Sequence, residues 1–156
     1  MPRQTPSYVK NVIKRSLREV VEPSPTKKDE QRIWAFFNSE CAYCGKELRK
    51  GRKEGHIDHL VSSTLGGSNH ISNRVLSCST CNEKEKLDMP WQKFLTQKNP
   101  DKITASRRRE KILEWQGMHN KTSVKKETLD KIESLGNEVV EFYDEKLRLA
   151  RRLRNL

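Results

Sequence analysis

Apolar residues recur at spacings of three and four positions near the N-terminus, over residues 8–21. This is the period of an amphipathic α-helix, so the segment is predicted to be helical with one apolar face. Pro23 and Pro25 follow at once and predict a hinge or linker. Thr26 is then a suitable N-cap for a second helix, which we expect to carry a cluster of aromatic residues toward a core.

The pattern changes between Cys41 and about Ile71, where apolar residues are sparse and turn-forming residues such as Gly66 and Gly67 are frequent. Short extended segments and turns are predicted there. Helical periodicity then resumes, and further helices are predicted over residues 79–87, 88–95, 104–117 and 124–153. The pattern therefore indicates an α+β fold, with a small strand-and-turn core flanked by N-terminal and C-terminal helices.

The 156 residues are enough for one compact domain with an appended arm and too few for two full-sized domains. Hydrophobic residues make up 33% of the chain, which is enough for a small core only. A core of that size usually needs a metal ion or disulfides to be stable. Lysine and arginine outnumber acidic residues by 32 to 21, and residues 91–156 hold over half of this excess. A field of that sign favours polyanionic partners, with nucleic acid first and acidic membrane surfaces second.

No apolar stretch approaches the roughly 20 residues that a membrane-spanning helix needs. The N-terminal residues have no apolar signal core either. We therefore expect a soluble, cytoplasmic protein that has no membrane partner.

Four cysteines form two pairs of identical spacing, Cys41 with Cys44 and Cys78 with Cys81. A two-residue spacer lets both sulfur atoms of a pair bind one tetrahedral ion, and two such pairs complete a zinc site. Two disulfides fit poorly with a chain that shows no secretion signal, and four unrelated thiols would rarely repeat one spacing. We therefore predict a structural Zn²⁺ ion with four protein ligands, which is closed to chemistry.

The residues between the cysteine pairs carry the candidate chemistry. Phosphodiester hydrolysis requires a base to activate water, a cation to neutralise developing charge and donors around the phosphate. Adjacent residues of a regular strand point to opposite faces, so Asp58 and His59 can serve one site only if the strand ends or bends there. The following helix must then supply a third group, and Asn82 at its start is well placed for that.

This combination of motifs resembles the HNH, or ββα-metal, nuclease family over roughly residues 35–95. The shared elements are two cysteine pairs, an Asp–His on a strand, a Gly–Gly loop and two asparagines: Cys41/Cys44, Asp58–His59, Gly66–Gly67, Asn73, Cys78/Cys81 and Asn82. The resemblance implies a zinc-stapled ββα-metal core and a metal-dependent endonuclease acting on DNA. It also implies a prokaryotic or phage origin and products with 5′-phosphate and 3′-hydroxyl ends.

The resemblance implies a role for each motif residue. Asp58 and Asn82 would coordinate one catalytic divalent ion, Mg²⁺ or Mn²⁺, and oxygen ligands suit such hard cations. His59 would be the general base, and its usual pKa of about 6.5 suits that task at neutral pH. Asn73 would brace the hairpin and help to orient His59 without binding the ion. His56 lies two residues before Asp58, hence on the same strand face, and is a further candidate for a phosphate or metal contact.

Two clusters of basic residues are candidates for DNA contacts, one in a turn after the first cysteine pair and one in a later helix: Arg49, Lys50, Arg52, Lys53, Arg107, Arg108 and Arg109. Such clusters can follow phosphates, and a solvated charge run is the alternative. His70, Lys84 and Lys86 are expected on solvated surface, although the two lysines are close enough to the site to meet DNA.

We expect an N-terminal helical arm in residues 1–25, a nuclease module in residues 26–99 and a basic helical extension in residues 100–156. The apolar stripe of the last helix either packs on the zinc module or pairs with a second copy, and a homodimer would let two single-strand sites cut a duplex. The main alternative function is a zinc-stapled nucleic-acid-binding module without catalysis. A toxin or defence effector with the same chemistry is a third possibility.

Overall fold

A computed structural model describes residues 4–119 and 124–154. The chain divides into two compact units: a two-helix unit, made of residues up to Pro23 and from Val124 onward, and a central unit that begins at Ser24. The two chain ends predicted as an arm and an extension thus contribute to one unit. The first part of the predicted extension belongs to the central unit instead, because its helix buries Ile112 and Trp115 in that core.

The two-helix unit consists of α1 (Pro6–Val21) and α5 (Lys126–Leu153). Thr5 caps α1 by accepting a hydrogen bond from the Tyr8 amide, and proline occupies the first helical position, where its missing N–H costs nothing. The helices predicted from apolar spacing at both chain ends are therefore confirmed. Gly136 of α5 is buried where the helix faces Lys14 of α1.

The first helix of the central unit, α2 (Lys27–Phe36), begins as the sequence predicts. The Thr26 hydroxyl accepts a hydrogen bond from the Asp29 amide at 3.2 Å, and the Asp29 carboxylate accepts one from the Thr26 amide at 3.1 Å. This reciprocal capping box satisfies two amides that would otherwise have no partner. It also holds the pKa of Asp29 below its usual value, chiefly through the Thr26 hydroxyl.

Two further helices, α3 (Trp91–Lys98) and α4 (Lys102–Met118), complete the helical part of the central unit. The expected start of α4 at Thr104 is wrong by two residues. Asp101 is the N-cap, and its carboxylate accepts hydrogen bonds from the amides of Ile103 and Thr104.

The strands β1 (Gly55–His59) and β2 (Arg74–Cys78) form an antiparallel hairpin. A π-helix (Thr80–Lys86) follows β2 at the position where an ordinary helix was predicted. The fold is therefore α+β, with a small two-stranded sheet, a following helical segment and flanking helices, and the predicted class is confirmed.

All five residues of β2 are buried, and α2 packs against this strand. The indole of Trp115 on α4 donates hydrogen bonds to the carbonyls of Arg74 and Ile71, at 2.8 and 3.1 Å, so the helix is fixed to the start of β2. The hairpin thus rests on a rigid apolar core. Within residues 4–119 and 124–154, no helix combines the length and apolar character that crossing a membrane requires.

Candidate active site and metal centre

The four cysteines converge at one end of the hairpin. Their sulfur atoms all lie within 4.8 Å of one another, and those of Cys44 and Cys78 are 3.8 Å apart. Four Zn–S bonds of about 2.3 Å in a tetrahedron place neighbouring sulfur atoms at about this separation. All four thiols are free of disulfides. The donor set and its geometry therefore fit a structural zinc ion, as the sequence predicts.

Local backbone geometry prepares the cysteine cluster. Gly45 has a φ of 74°, and its amide donates to the carbonyl of Cys41 at 2.8 Å, so the turn carrying the first pair closes tightly. Hydrogen bonds from the thiols of Cys44 and Cys81 lower the pKa of Cys41. The same hydrogen bonds raise the pKa of Cys44 and of Cys81, so Cys41 is the thiol of these three that most readily becomes a thiolate, the form that binds zinc.

The strand register separates the metal cluster from the candidate catalytic residues. Gly55 pairs with Cys78 at the cysteine end of the hairpin, whereas His59 pairs with Arg74 at the other end. Four strand residues span roughly 13 Å. A zinc ion held by the cysteines would therefore support the hairpin and take no part in chemistry at His59.

Asp58 points into the protein, where only 8% of the residue is exposed. The Tyr43 hydroxyl donates to Oδ2 at 2.9 Å, and the Lys86 ammonium lies 3.2 Å from the same oxygen. Burial raises the pKa of Asp58 above its usual value, and the charge of Lys86 opposes this effect. Burial and the charge of Asp58 likewise raise the pKa of Tyr43. Because both contacts fall on Oδ2, Oδ1 is the oxygen best suited to bind a cation.

Lys86 corrects one expectation from the sequence, because its side chain is 2% exposed and not on solvated surface. Besides approaching Asp58, its ammonium donates to the carbonyl of His59 at 2.7 Å. The π-helix brings it there, and Leu87 ends that helix with a φ of 46°. Lys86 thus ties the end of β1, where the strand stops at His59, to the following helix.

Asn82 lies four residues before Lys86 on the π-helix and is half-buried. Residues four apart share one face of such a helix, since its hydrogen bonds run from residue i to i+5 and its turns are slightly wider than those of an α-helix. The face of the helix that contacts Asp58 therefore also carries Asn82. Within the described part of the chain, the Asn82 side chain makes no hydrogen bond.

His59 ends β1 and is half-buried. Its Nδ1 lies 2.9 Å from Nη1 of Arg74, and its Nε2 lies 3.2 Å from Oδ1 of Asn69. Neither Arg74 nor Asn69 was singled out from the sequence, because their approach depends on the hairpin register and on the path of the loop.

Asn73 lies just before β2 and is buried. Its side-chain amide donates to the carbonyls of Val61 and Ser68, at 2.9 and 2.8 Å, and its oxygen accepts from the Val61 amide at 2.9 Å. These bonds close the loop that follows His59. Asn73 therefore holds the loop between His59 and β2 in place.

The other two histidines have partners of their own. His56 Nε2 lies 3.6 Å from Oε1 of Glu83. His70 accepts a hydrogen bond from the Ser72 amide at the start of a short 3₁₀ turn.

The basic candidates for DNA contacts differ in exposure. Arg49, Lys50, Arg52 and Lys53 lie in an exposed turn before β1, and Arg49 forms an ion pair with Glu54 at 3.3 Å. Arg107 and Arg109 are exposed on α4. Arg108 is half-buried, and its guanidinium packs so closely on Gly45 that a Cβ atom there would overlap it. Arg108 therefore supports the turn of the first cysteine pair.

Tyr43 and Lys86 were not identified as site residues from the sequence. Tyr43 lies between Cys41 and Cys44, so its position in the metal-binding turn directs it into the core. Lys86 carries a weak signal, because it lies four positions after Asn82 and so shares its helix face.

Removing the Lys86 ammonium should destabilise the protein strongly. Lys86→Met leaves the Asp58 carboxylate buried without its cation, and we expect a loss of about 3–5 kcal/mol in the free energy of unfolding. Tyr43→Phe removes one hydrogen bond to the same carboxylate and should cost about 1.5–3 kcal/mol. Urea unfolding without added Mg²⁺ or Mn²⁺ measures both.

A double variant separates the ion pair from general packing. Asp58→Asn combined with Lys86→Met removes both charges, so its loss of stability should be well below the sum of the two single losses. Additive losses would show that Lys86 and Asp58 contribute independently.

The part of the chain that carries this site is similar in sequence to known proteins. Residues 41–95 match a family described as HNH endonuclease. The chain is also 35% identical over 98 residues to a curated protein of Bacillus subtilis (strain 168) named "SPbeta prophage-derived putative HNH endonuclease YoqL". The match covers 54% of this chain and 38% of that relative, so the chain spans well under half of the relative's length. The segment that matches the family, residues 41–95, contains both cysteine pairs, the hairpin and the π-helix.

Proposed function

We propose that this protein is a metal-dependent endonuclease that hydrolyses phosphodiester bonds in DNA, because residues 41–95 match a family described as HNH endonuclease. The observation that carries the proposal is the Lys86 ammonium, which contacts both the Asp58 carboxylate and the His59 carbonyl. That double contact brings the end of β1 against the π-helix face that carries Asn82. In the proposed site, Asp58, His59 and Asn82 would surround one position, which would suit a phosphate group.

The proposed role of each residue follows from the chemistry of its side chain. Asp58 and Asn82 would hold Mg²⁺ or Mn²⁺ through oxygen, and the chemistry of such a cation is to neutralise charge developing on the scissile phosphate. His59 would accept the proton of the attacking water. Asn73 would keep the loop after His59 closed, so that the imidazole stays in place. Tyr43 and Lys86 would fix the carboxylate of Asp58, since both bind its Oδ2.

The exposed basic residues supply the proposed DNA-binding surface. Lys50, Arg52 and Lys53 in the turn before β1, with Arg107 and Arg109 on α4, would contact phosphates and set affinity without reading sequence. Arg49, which is 64% exposed at its ion pair with Glu54, would act with them. Binding should therefore weaken steeply as salt concentration rises.

One site of this kind cuts one strand, so a single copy would nick DNA. Double-strand cutting would need two copies, and α5 is the proposed contact between them. This helix leaves large apolar side chains exposed, among them Phe142 at 60% and Leu153 at 69%. The prophage origin in the name of the relative supports a bacterial or phage protein that acts in the cytoplasm.

Brief treatment with EDTA tests the assignment of two metals. An ion held by two protein oxygens exchanges quickly, whereas zinc in a closed thiolate cage does not. EDTA is expected to stop plasmid cleavage while circular dichroism and zinc content stay unchanged, and added Mg²⁺ or Mn²⁺ should restore cleavage at once. Cleavage that persists in EDTA would contradict the proposal.

A zinc-stapled binding module without catalysis is the second candidate. The contact of Lys86 with Asp58 favours it, because a cation already lies beside the carboxylate. A gel shift with no strand cleavage under any divalent cation would select this candidate.

A further inference from the structure

Both ring nitrogens of His59 are occupied in this structure. Nδ1 faces Nη1 of Arg74 at 2.9 Å, and Nε2 faces Oδ1 of Asn69 at 3.2 Å. A general base needs one ring nitrogen with a lone pair directed at water. The proposed base can therefore work only after one of these two contacts has been exchanged for another.

Arg74 is the partner that determines which ring nitrogen of His59 carries the proton. A guanidinium has only donors, so Nδ1 must accept the hydrogen bond from Arg74 and the ring proton must reside on Nε2. Nε2 then donates to Oδ1 of Asn69. The lone pair that could take a proton from water is thus the one that Arg74 covers.

The position of Arg74 explains how it reaches His59. It is the first residue of β2, directly opposite His59 in the hairpin register, and only 7% of it is exposed. Asn69 holds the other side of the guanidinium, because its Oδ1 accepts from Nη2 at 2.8 Å and its carbonyl from Nε at 3.4 Å. The cation is therefore fixed next to the imidazole, beside the place where the proposed function puts the scissile phosphate.

We propose that Arg74 is a catalytic residue that binds the scissile phosphate, and that its transfer from His59 to the phosphate uncovers the base. The proposal rests on the proposed nuclease function. A phosphate accepts two charge-assisted hydrogen bonds from a guanidinium, whereas a neutral imidazole accepts one weaker bond. A phosphate close enough to be attacked beside His59 is also within reach of Arg74, so the substrate itself would trigger the exchange.

The resulting step is the hydrolysis of one phosphodiester bond by water. An O–H bond of water breaks and its proton goes to Nδ1 of His59, while the water oxygen forms a bond to phosphorus. The bond between phosphorus and the 3′ oxygen then breaks, and that oxygen takes a proton from solvent. Arg74 stays on the phosphate oxygens, whose charge rises in the transition state, and Asn69 keeps the ring oriented through Nε2.

Nitrogen NMR of the imidazole follows the exchange without any cleavage. The full chain, loaded with zinc and labelled with ¹⁵N-histidine, is titrated with a short DNA duplex without added Mg²⁺ or Mn²⁺. We expect DNA to shift the Nδ1 signal of His59, identified by its loss in His59→Ala. Arg74→Ala should show this shift already without DNA. Saturation with DNA that leaves Nδ1 unchanged in the wild type would overturn the proposal.

Kinetics provide the second readout. Arg74→Ala should lower kcat for plasmid cleavage by about 10²–10³-fold, the usual effect of removing one donor to a developing oxyanion. Arg74→Lys keeps the charge and should recover at least tenfold of that loss, which a purely structural role would not predict. Arg32→Ala is the matched control, since Arg32 is an exposed arginine paired with Asp29 on α2, and its kcat should be unchanged.

The possible failures are distinguishable. Wild-type activity in Arg74→Ala, beside a wild-type enzyme that cleaves, would overturn the role of Arg74 and leave the nuclease function intact. Absence of cleavage by the wild type would overturn the nuclease function and with it the catalytic role of Arg74. A contact between Arg74 and a bound phosphate would then still be visible by NMR.

Discussion

Cys78→Ser is expected to release zinc and unfold the central unit. Cys78 ends β2, is 3% exposed, and its sulfur accepts a hydrogen bond from the Cys81 amide at 3.4 Å. Zinc binding contributes about 10–16 kcal/mol of apparent free energy in small zinc-finger peptides. A domain of this size is stable by only about 5–15 kcal/mol. Loss of one ligand thus threatens the whole fold, and DNA cleavage should be lost with it.

Elemental analysis and thermal unfolding check this expectation together. The wild type should contain one zinc ion per chain and melt cooperatively, whereas Cys78→Ser should contain none and show no cooperative transition. Ser79→Ala is the matched control, because it removes a hydroxyl one residue away that caps no helix. Active wild-type protein without zinc would contradict the structural role.

His59→Ala is expected to lower DNA cleavage by about 10²–10⁴-fold, the usual contribution of a positioned general base. The variant should retain zinc, its melting temperature within a few degrees and its DNA affinity. His59 is half-buried, and Asn69 continues to accept hydrogen bonds from the Arg74 guanidinium when the imidazole is removed. Lys86 binds the backbone carbonyl of His59, which the substitution keeps. Single-turnover cleavage of a labelled duplex measures the rate, and a gel shift measures the affinity.

His56→Ala is the matched control for this experiment. His56 lies on the same strand and faces Glu83, so its loss should change the rate by no more than a few-fold. A slow His56→Ala variant beside a fast His59→Ala variant would assign the general base to His56.

The parts of this site that sequence could predict depend on local spacing. Two cysteine pairs, an Asp–His pair and two asparagines predict a metal cluster and a hairpin. Each of these motifs spans only a few residues, so it can be recognised without knowing the tertiary structure. The helices at both chain ends are predicted in the same way, from the spacing of their apolar residues. Their pairing is not, since contact between α1 and α5 joins segments more than 100 residues apart.

The residues that sequence could not predict depend on tertiary geometry. Lys86 was expected in solvent because a charged helix face is usually solvated, whereas the structure places its ammonium against Asp58 in the interior. Arg74 meets His59 only through the strand register, and Asn69 only through the loop that Asn73 closes. Each contact crosses at least five positions of sequence and leaves no periodic signal.

Plasmid cleavage by the wild type and by Asp58→Ala tests the central claim most directly. Both proteins, loaded with zinc, are incubated at equal concentration with supercoiled plasmid and Mg²⁺. We predict that the wild type produces nicked or linear DNA with 5′-phosphate ends, whereas Asp58→Ala binds the same DNA and leaves it supercoiled. Equal cleavage by both proteins, or binding by both with cleavage by neither, would contradict the account.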